Sequence, residues 1–108
     1  MSDFDPMAAL PLAPRDLLIL AVLADRPLHG YGIVKAVEAR SEAGIRMDPA
    51  NLYRVLRRMR ASGWVDEVED PEGDRRRTHG LTDRGEAVLH AEIRRLERLV
   101  SHARPATG

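Results

Sequence analysis

A chain of 108 residues, 44% apolar and 31% charged, has the balance of one compact domain with a small core, which excludes both a two-domain protein and a disordered one. Lysine plus arginine equal aspartate plus glutamate at 17 each, so any attraction to a polyanion must come from where the charges sit. The absence of cysteine excludes disulfides, thiolate nucleophiles and cysteine-ligated zinc.

Residues 1–14 carry Pro6, Pro11 and Pro14 and read as an extended or loosely helical arm able to dock through Phe4 or Leu10. Its acidic start lacks the basic region of a signal peptide, and the longest apolar run, residues 17–24, is too short to cross a bilayer. The expectation is a cytoplasmic protein with no membrane partner. Within residues 15–25 the run LLILAVLA is apolar on all sides, which predicts a central helix buried on every side until Arg26-Pro27 stops it. A second, amphipathic helix over 31–41 puts Ile33, Val34 and Val37 on one face and Lys35, Glu38 and Arg40 away from it, ending near Gly44. Asp48-Pro49 reads as an N-cap with the preferred first helical residue, opening a third helix over 48–63. Trp64, Val65 and Val68 favour a strand over 64–69, residues 70–74 are dense in turn formers, and 75–81 supply a return strand. Thr82-Asp83 caps a last helix that no proline interrupts before Pro105.

Three short helices followed by a hairpin are the parts of a winged helix-turn-helix. The fold class expected is therefore mainly α with a small β-hairpin: an arm (1–14), a winged helix-turn-helix (15–82), a C-terminal dimerisation helix (83–104) and a tail (105–108).

Local charge shows what the total hides. The third helix holds Arg54, Arg57, Arg58 and Arg60 against Asp48 alone. At about 100° per residue, Asn51, Arg57 and Arg58 fall on the side of Arg54, opposite Leu52, Leu56 and Met59. Solubilising surface arginines are the plain explanation, and a DNA-facing helix is the sharper one. In the hairpin, Asp66, Glu67, Glu69, Asp70, Glu72 and Asp74 precede Arg75-Arg76-Arg77. Those arginines can pair across the strands, reach phosphate or the minor groove, or divide the two tasks.

In the last helix Leu89, Ile93, Leu96, Val100 and Ala103 recur at steps of four and three, widened by Val88 and Leu99, which is the spacing of a seam between two helices. At about 1.5 Å per residue the helix is about 31 Å long, longer than the core helices can cover. A homodimer is expected, with Glu92, Glu97, Arg94, Arg95 and Arg98 flanking the seam in interchain ion pairs; folding back onto its own domain is the alternative.

The segments Leu28-His29-Gly30-Tyr31-Gly32-Ile33, Asn51-Leu52-Tyr53-Arg54-Val55-Leu56, Gly63-Trp64-Val65, Gly73-Asp74-Arg75-Arg76-Arg77 and Leu81-Thr82-Asp83-Arg84-Gly85 resemble, in this order and spacing, the PadR family of bacterial transcriptional regulators over residues 15 to about 90. The short tail is similar to the smaller subgroup. The resemblance implies double-stranded DNA as partner, a near-palindromic operator, a homodimer through the C-terminal helix, repression of a neighbouring gene or its own, and release by a small-molecule effector. It implies Asn51, Tyr53, Arg54 and Arg58 as DNA contacts, with Tyr53 at the backbone or packed at the helix edge, and a structural His29 beside Gly30 and Gly32. The DNA-binding set is thus Asn51, Tyr53, Arg54, Arg57, Arg58, Arg75, Arg76 and Arg77. This chain departs from the family in having no aromatic residue after Trp64, so stacking of flat aromatic ligands on the last helix has no residue to carry it. Trp64 itself reads as core.

No nucleophile with a base, phosphate loop or short metal motif is visible, so neither an enzyme nor a cofactor is expected. Glu86 and His90 stand at i and i+4 and read as a surface pair before a metal site. The remaining alternative is a winged-helix protein-interaction module that does not bind DNA.

Overall fold

The structure is a computed structural model that describes residues 4–70, 73 and 77–106. Among these, four helices, α1 (Pro14–Asp25), α2 (Gly30–Arg40), α3 (Pro49–Ala61) and α4 (Asp83–Ala103), surround a sheet of β1 (Leu28–His29), β2 (Val65–Val68) and β3 (Thr78–Leu81). The sheet is antiparallel in the order β1-β3-β2. The expected hairpin is therefore present but gains a third strand: Leu28 and His29 pair with His79 and Thr78. This ladder lies just before α2, so the root of the wing is hydrogen-bonded to the approach to that helix.

The helix starts follow local chemistry. Asp48 accepts the Asn51 amide at 2.9 Å, Thr82 accepts the Gly85 amide at 3.1 Å, and His29 Nδ1 accepts the Gly32 amide at 3.1 Å, each using up an N–H that a helix leaves free in its first turn. His29 is thus a structural N-cap. Helix α2 stops at Arg40, before the expected Gly44, because Ser41 Oγ accepts the Ile45 amide and Glu42 and Ala43 take left-handed backbone angles that turn the chain.

The core joins Ile19, Leu20, Val22 and Leu23 of α1 to Ile33 and Val37 of α2, Leu52, Val55, Leu56 and Met59 of α3, Trp64 and Val65, and Val88 and Leu89 of α4. Trp64 is buried, as expected. Helix α1 packs against α2, α4 and β3, yet Leu17, Leu18 and Ala21 stay half-buried and Ala24 is exposed, so its all-round burial is incomplete within one chain. The tightest approach is at Gly85, where a Cβ would lie 2.1 Å from the Trp64 carbonyl oxygen. Only glycine lets α4 start against that backbone.

Residues Pro6–Ala9 form a 3-10 helix capped by Asp5, and this segment packs on α4. Phe4 lies under the Arg84 guanidinium at 4.9 Å, Leu10 meets the core, and the Leu12 amide donates to Glu92 Oε2 at 2.6 Å. Glu92 corrects the reading of the seam flanks: it is fully buried within its own chain and takes hydrogen bonds from Arg95 one turn on. The arm covers that side of α4, so Glu92 faces inward and is not placed for an interchain pair.

Candidate nucleic-acid interface

Helix α3 has two faces. Leu52, Val55, Leu56 and Met59 are buried in the core, whereas Tyr53, Arg54, Arg57, Arg58 and Arg60 are exposed. Among the described residues Arg54 and Arg57 have no ion-pair partner, so the outer face presents two free guanidinium groups about one turn apart. Their neighbours differ. Arg58 donates to Asp16 Oδ2 at 2.6 Å, and Asp16, buried in α1, also receives Arg15 Nε at 3.3 Å. A predicted DNA contact is therefore a tie between α3 and α1, with its side chain still half exposed. The two partners lie 42 positions apart in sequence, so no local pattern signals the pairing.

Asn51 is half-buried and its amide Nδ2 donates to Asp48 Oδ2 at 2.9 Å, so its side chain is engaged in capping. Tyr53 is half exposed, with its hydroxyl 3.1 Å from where a Cβ on Gly30 would stand. Gly30 thus makes room for Tyr53 at the head of α2. Arg75 and Arg76 lie outside the described residues. Arg77 is 74% exposed and approaches Glu67 at 3.8 Å, while Arg60 donates to the same carboxylate at 3.0 Å.

Between α3 and the wing lies a cleft of about 370 Å³ lined by Tyr53, Leu56, Arg57, Arg60, Glu67, Arg77 and His79. His79 was not singled out as a site residue from sequence. It is buried, both ring nitrogens lack a hydrogen-bond partner among the described residues, and burial holds its pKa below the ordinary 6.5; Glu67 opposes that shift, and Arg60 and Arg77 add to it.

The predicted seam residues divide. Leu89 is buried in its own domain's core, whereas Ile93 and Val100 are exposed, Leu96 is half-buried and Ala103 is exposed. With Glu97, Ser101 and Arg104, Ile93, Leu96 and Val100 line an open groove of about 480 Å³ along α4. Glu86 and His90 are exposed on α4, and among the described residues no group of three His, Asp or Glu is arranged to hold a metal. No described helix is long and apolar enough to cross a membrane.

Comparison with known proteins places this geometry. The chain is 41% identical over 83 residues to an uncharacterized 37.1 kDa protein of transposon TN4556 from Streptomyces fradiae, an alignment covering 77% of this chain but only 23% of that protein. It is 36% identical over 84 residues to the transcriptional regulator Rv3488 of Mycobacterium tuberculosis, covering 77% and 76% of the two chains. The fold is shared with a PadR family transcription regulator from Clostridium difficile R20291, at a TM-score of 0.69 and 21% identity over 82% of this chain and 93% of that one. It is shared also with Bacillus subtilis PadR in complex with operator DNA, at a TM-score of 0.65 and 21% identity over 78% and 48%. Residues 19–91, from the core helix through the wing into α4, match the transcriptional regulator PadR-like family, and the chain belongs to that family.

Proposed function

We propose that two copies of this chain, joined through α4, bind a near-palindromic operator in cytoplasmic DNA and repress the adjacent gene. The observation that carries the reading is the pair of free guanidinium groups, Arg54 and Arg57, on the outer face of a helix whose inner face is locked in the core. A helix so held can insert in the major groove with its side chains at fixed positions, while Arg77 and its neighbours in the wing meet phosphate. Exposed Ile93, Val100 and Leu99, with half-buried Leu96, support the pairing of α4 with a second copy.

A small-molecule effector would enter along α4 between the two copies and release DNA by changing the separation of the two recognition helices. The groove there is aliphatic with Glu97 and Arg104 at its edge, which favours modest-sized or acidic ligands over stacked planar dyes. Selection from a randomised duplex pool at low salt tests the DNA reading. The expected result is an inverted-repeat consensus with binding that falls steeply as salt rises. Recovery of no consensus, with binding insensitive to salt, would instead leave a protein-interaction module.

A further inference from the structure

Glu67 occupies an unusual position for a carboxylate beside a polyanion-binding face. It accepts from Arg60 at 3.0 Å, lies 3.8 Å from Arg77, and stands directly across the β2–β3 ladder from His79. Directly opposed residues project to the same face of a sheet, and all four line the cleft between α3 and the wing. Two guanidinium groups converging on one carboxylate are also what a phosphate would meet. We propose that Glu67 is an internal stand-in for a DNA phosphate that holds Arg60 and Arg77 back from the duplex, and that a proton taken up by His79 draws it off them. The proposal rests on the DNA-binding reading above and names the residue that sets its affinity.

The groups facing His79 make the exchange chemically specific. Among the described residues, α3 contributes Tyr53, Arg57 and Arg60, β2 contributes Glu67, the approach to β3 contributes Arg77, and β1 places apolar Leu28 opposite it in the ladder. Neutral His79 has no hydrogen-bond partner among them, so Glu67 remains with the arginines. A protonated imidazolium would be repelled by Arg60 and Arg77 and attracted by Glu67, the one anionic neighbour in the cleft among the described residues. When phosphates neutralise the two arginines, the repulsion falls and Glu67 is released to pair with the imidazolium. The pKa of His79 is therefore higher in the complex than in the free protein, where burial depresses it below 6.5. Binding takes up a proton, and affinity rises as pH falls from the bound-state value of His79 toward its lower value in the free protein.

The test measures affinity of the full chain for a random-sequence duplex at about pH 8 and about pH 6, for wild type, Glu67→Gln and His79→Gln. Glu67→Gln should bind about three- to tenfold tighter at the higher pH, with a salt slope steeper by about one ion, and should respond little to pH. Wild type should tighten several-fold on acidification, and His79→Gln should lose that response. If the buried His79 substitution impairs folding, the contrast in pH response between wild type and Glu67→Gln decides alone, since Glu67 lies outside the core. A wild type that binds DNA, together with a Glu67→Gln variant that binds equally or more weakly, would overturn the brake and leave the DNA-binding reading intact. A wild type with no affinity at either pH would overturn both.

Discussion

Two buried carboxylates, Asp16 and Glu92, tie together parts of the chain that lie far apart in sequence, and both are invisible to a reading of local pattern. Asp16 joins α1 to α3 through Arg58. Arg58→Ala should lower stability by about 1–2 kcal/mol, because it strips a charge-assisted bond from a buried acid that among the described residues keeps only Arg15. Arg54→Ala should leave the unfolding midpoint unchanged and relax base preference; denaturant melts and duplex selection on the two variants would separate these roles. Glu92 is held below its ordinary pKa of 4.5 by hydrogen bonds from Arg95 and, to a smaller degree, by the Leu12 amide, with burial opposing them. Its folded pKa lies below its unfolded one, so the stabilisation is present above about pH 4.5 and is lost as pH falls through the folded value. Urea unfolding across that range should show Glu92→Gln with a shallower acid loss than wild type. Gly85→Ala would force a Cβ into the Trp64 carbonyl and should cost about 3 kcal/mol or abolish folding, read from the same melts. Sequence pattern shows Arg58 as one of several arginines on a polar face and Glu92 as one of several flank charges. Their partners are set by how α1, α3, α4 and the arm dock, which no window of neighbouring residues contains.

The helices were legible because each carries its own period and its own punctuation. Asp48, Thr82 and the prolines at 14, 27, 49 and 105 lie within a residue or two of the observed boundaries. Strand β1 was not, since Leu28-His29 between Pro27 and Gly30 has no alternation to read and exists only by pairing with β3. The cationic face of α3 was likewise visible by period, whereas the division of its arginines between free and paired needed the fold. On α4 the apolar stripe at steps of four and three divides: its upper end, Leu89, goes into the domain's own core, Leu96 is half-buried, and Ile93, Val100 and Ala103 are exposed. The dimer proposal therefore rests on Ile93, Leu96, Leu99 and Val100. Leu96→Arg would put a charge in the middle of that surface, at a cost to pairing of several kcal/mol at most, about 3–5 kcal/mol if it is fully buried between copies. Sedimentation equilibrium at tens of micromolar should show the wild type dimeric and the variant monomeric, with the variant's helical content unchanged.

Across the whole molecule the two recognition helices of a dimer would face the same side of DNA about 34 Å apart, about one helical turn. Inserting about half a turn, roughly five base pairs, between the half-sites should rotate one to the far side and reduce affinity to that of nonspecific binding, whereas a substitution outside the half-sites should not. A gel-shift series on spacer length checks this.

Strand β3 is the member of the sheet that both other strands pair with, and its first two residues are fastened to Leu28 and His29. His29 in turn caps α2 through the Gly32 amide. Mechanically the wing is a lever whose fulcrum sits at the foot of α2. A force that DNA exerts on the wing would be delivered first to the His29 cap, and through α2 to Leu52, which lies beside Gly30 in α3. On the proposed mode of binding, the wing and α3 would then not act as independent fingers: a duplex that bent the wing would also re-aim the helix set to read its bases.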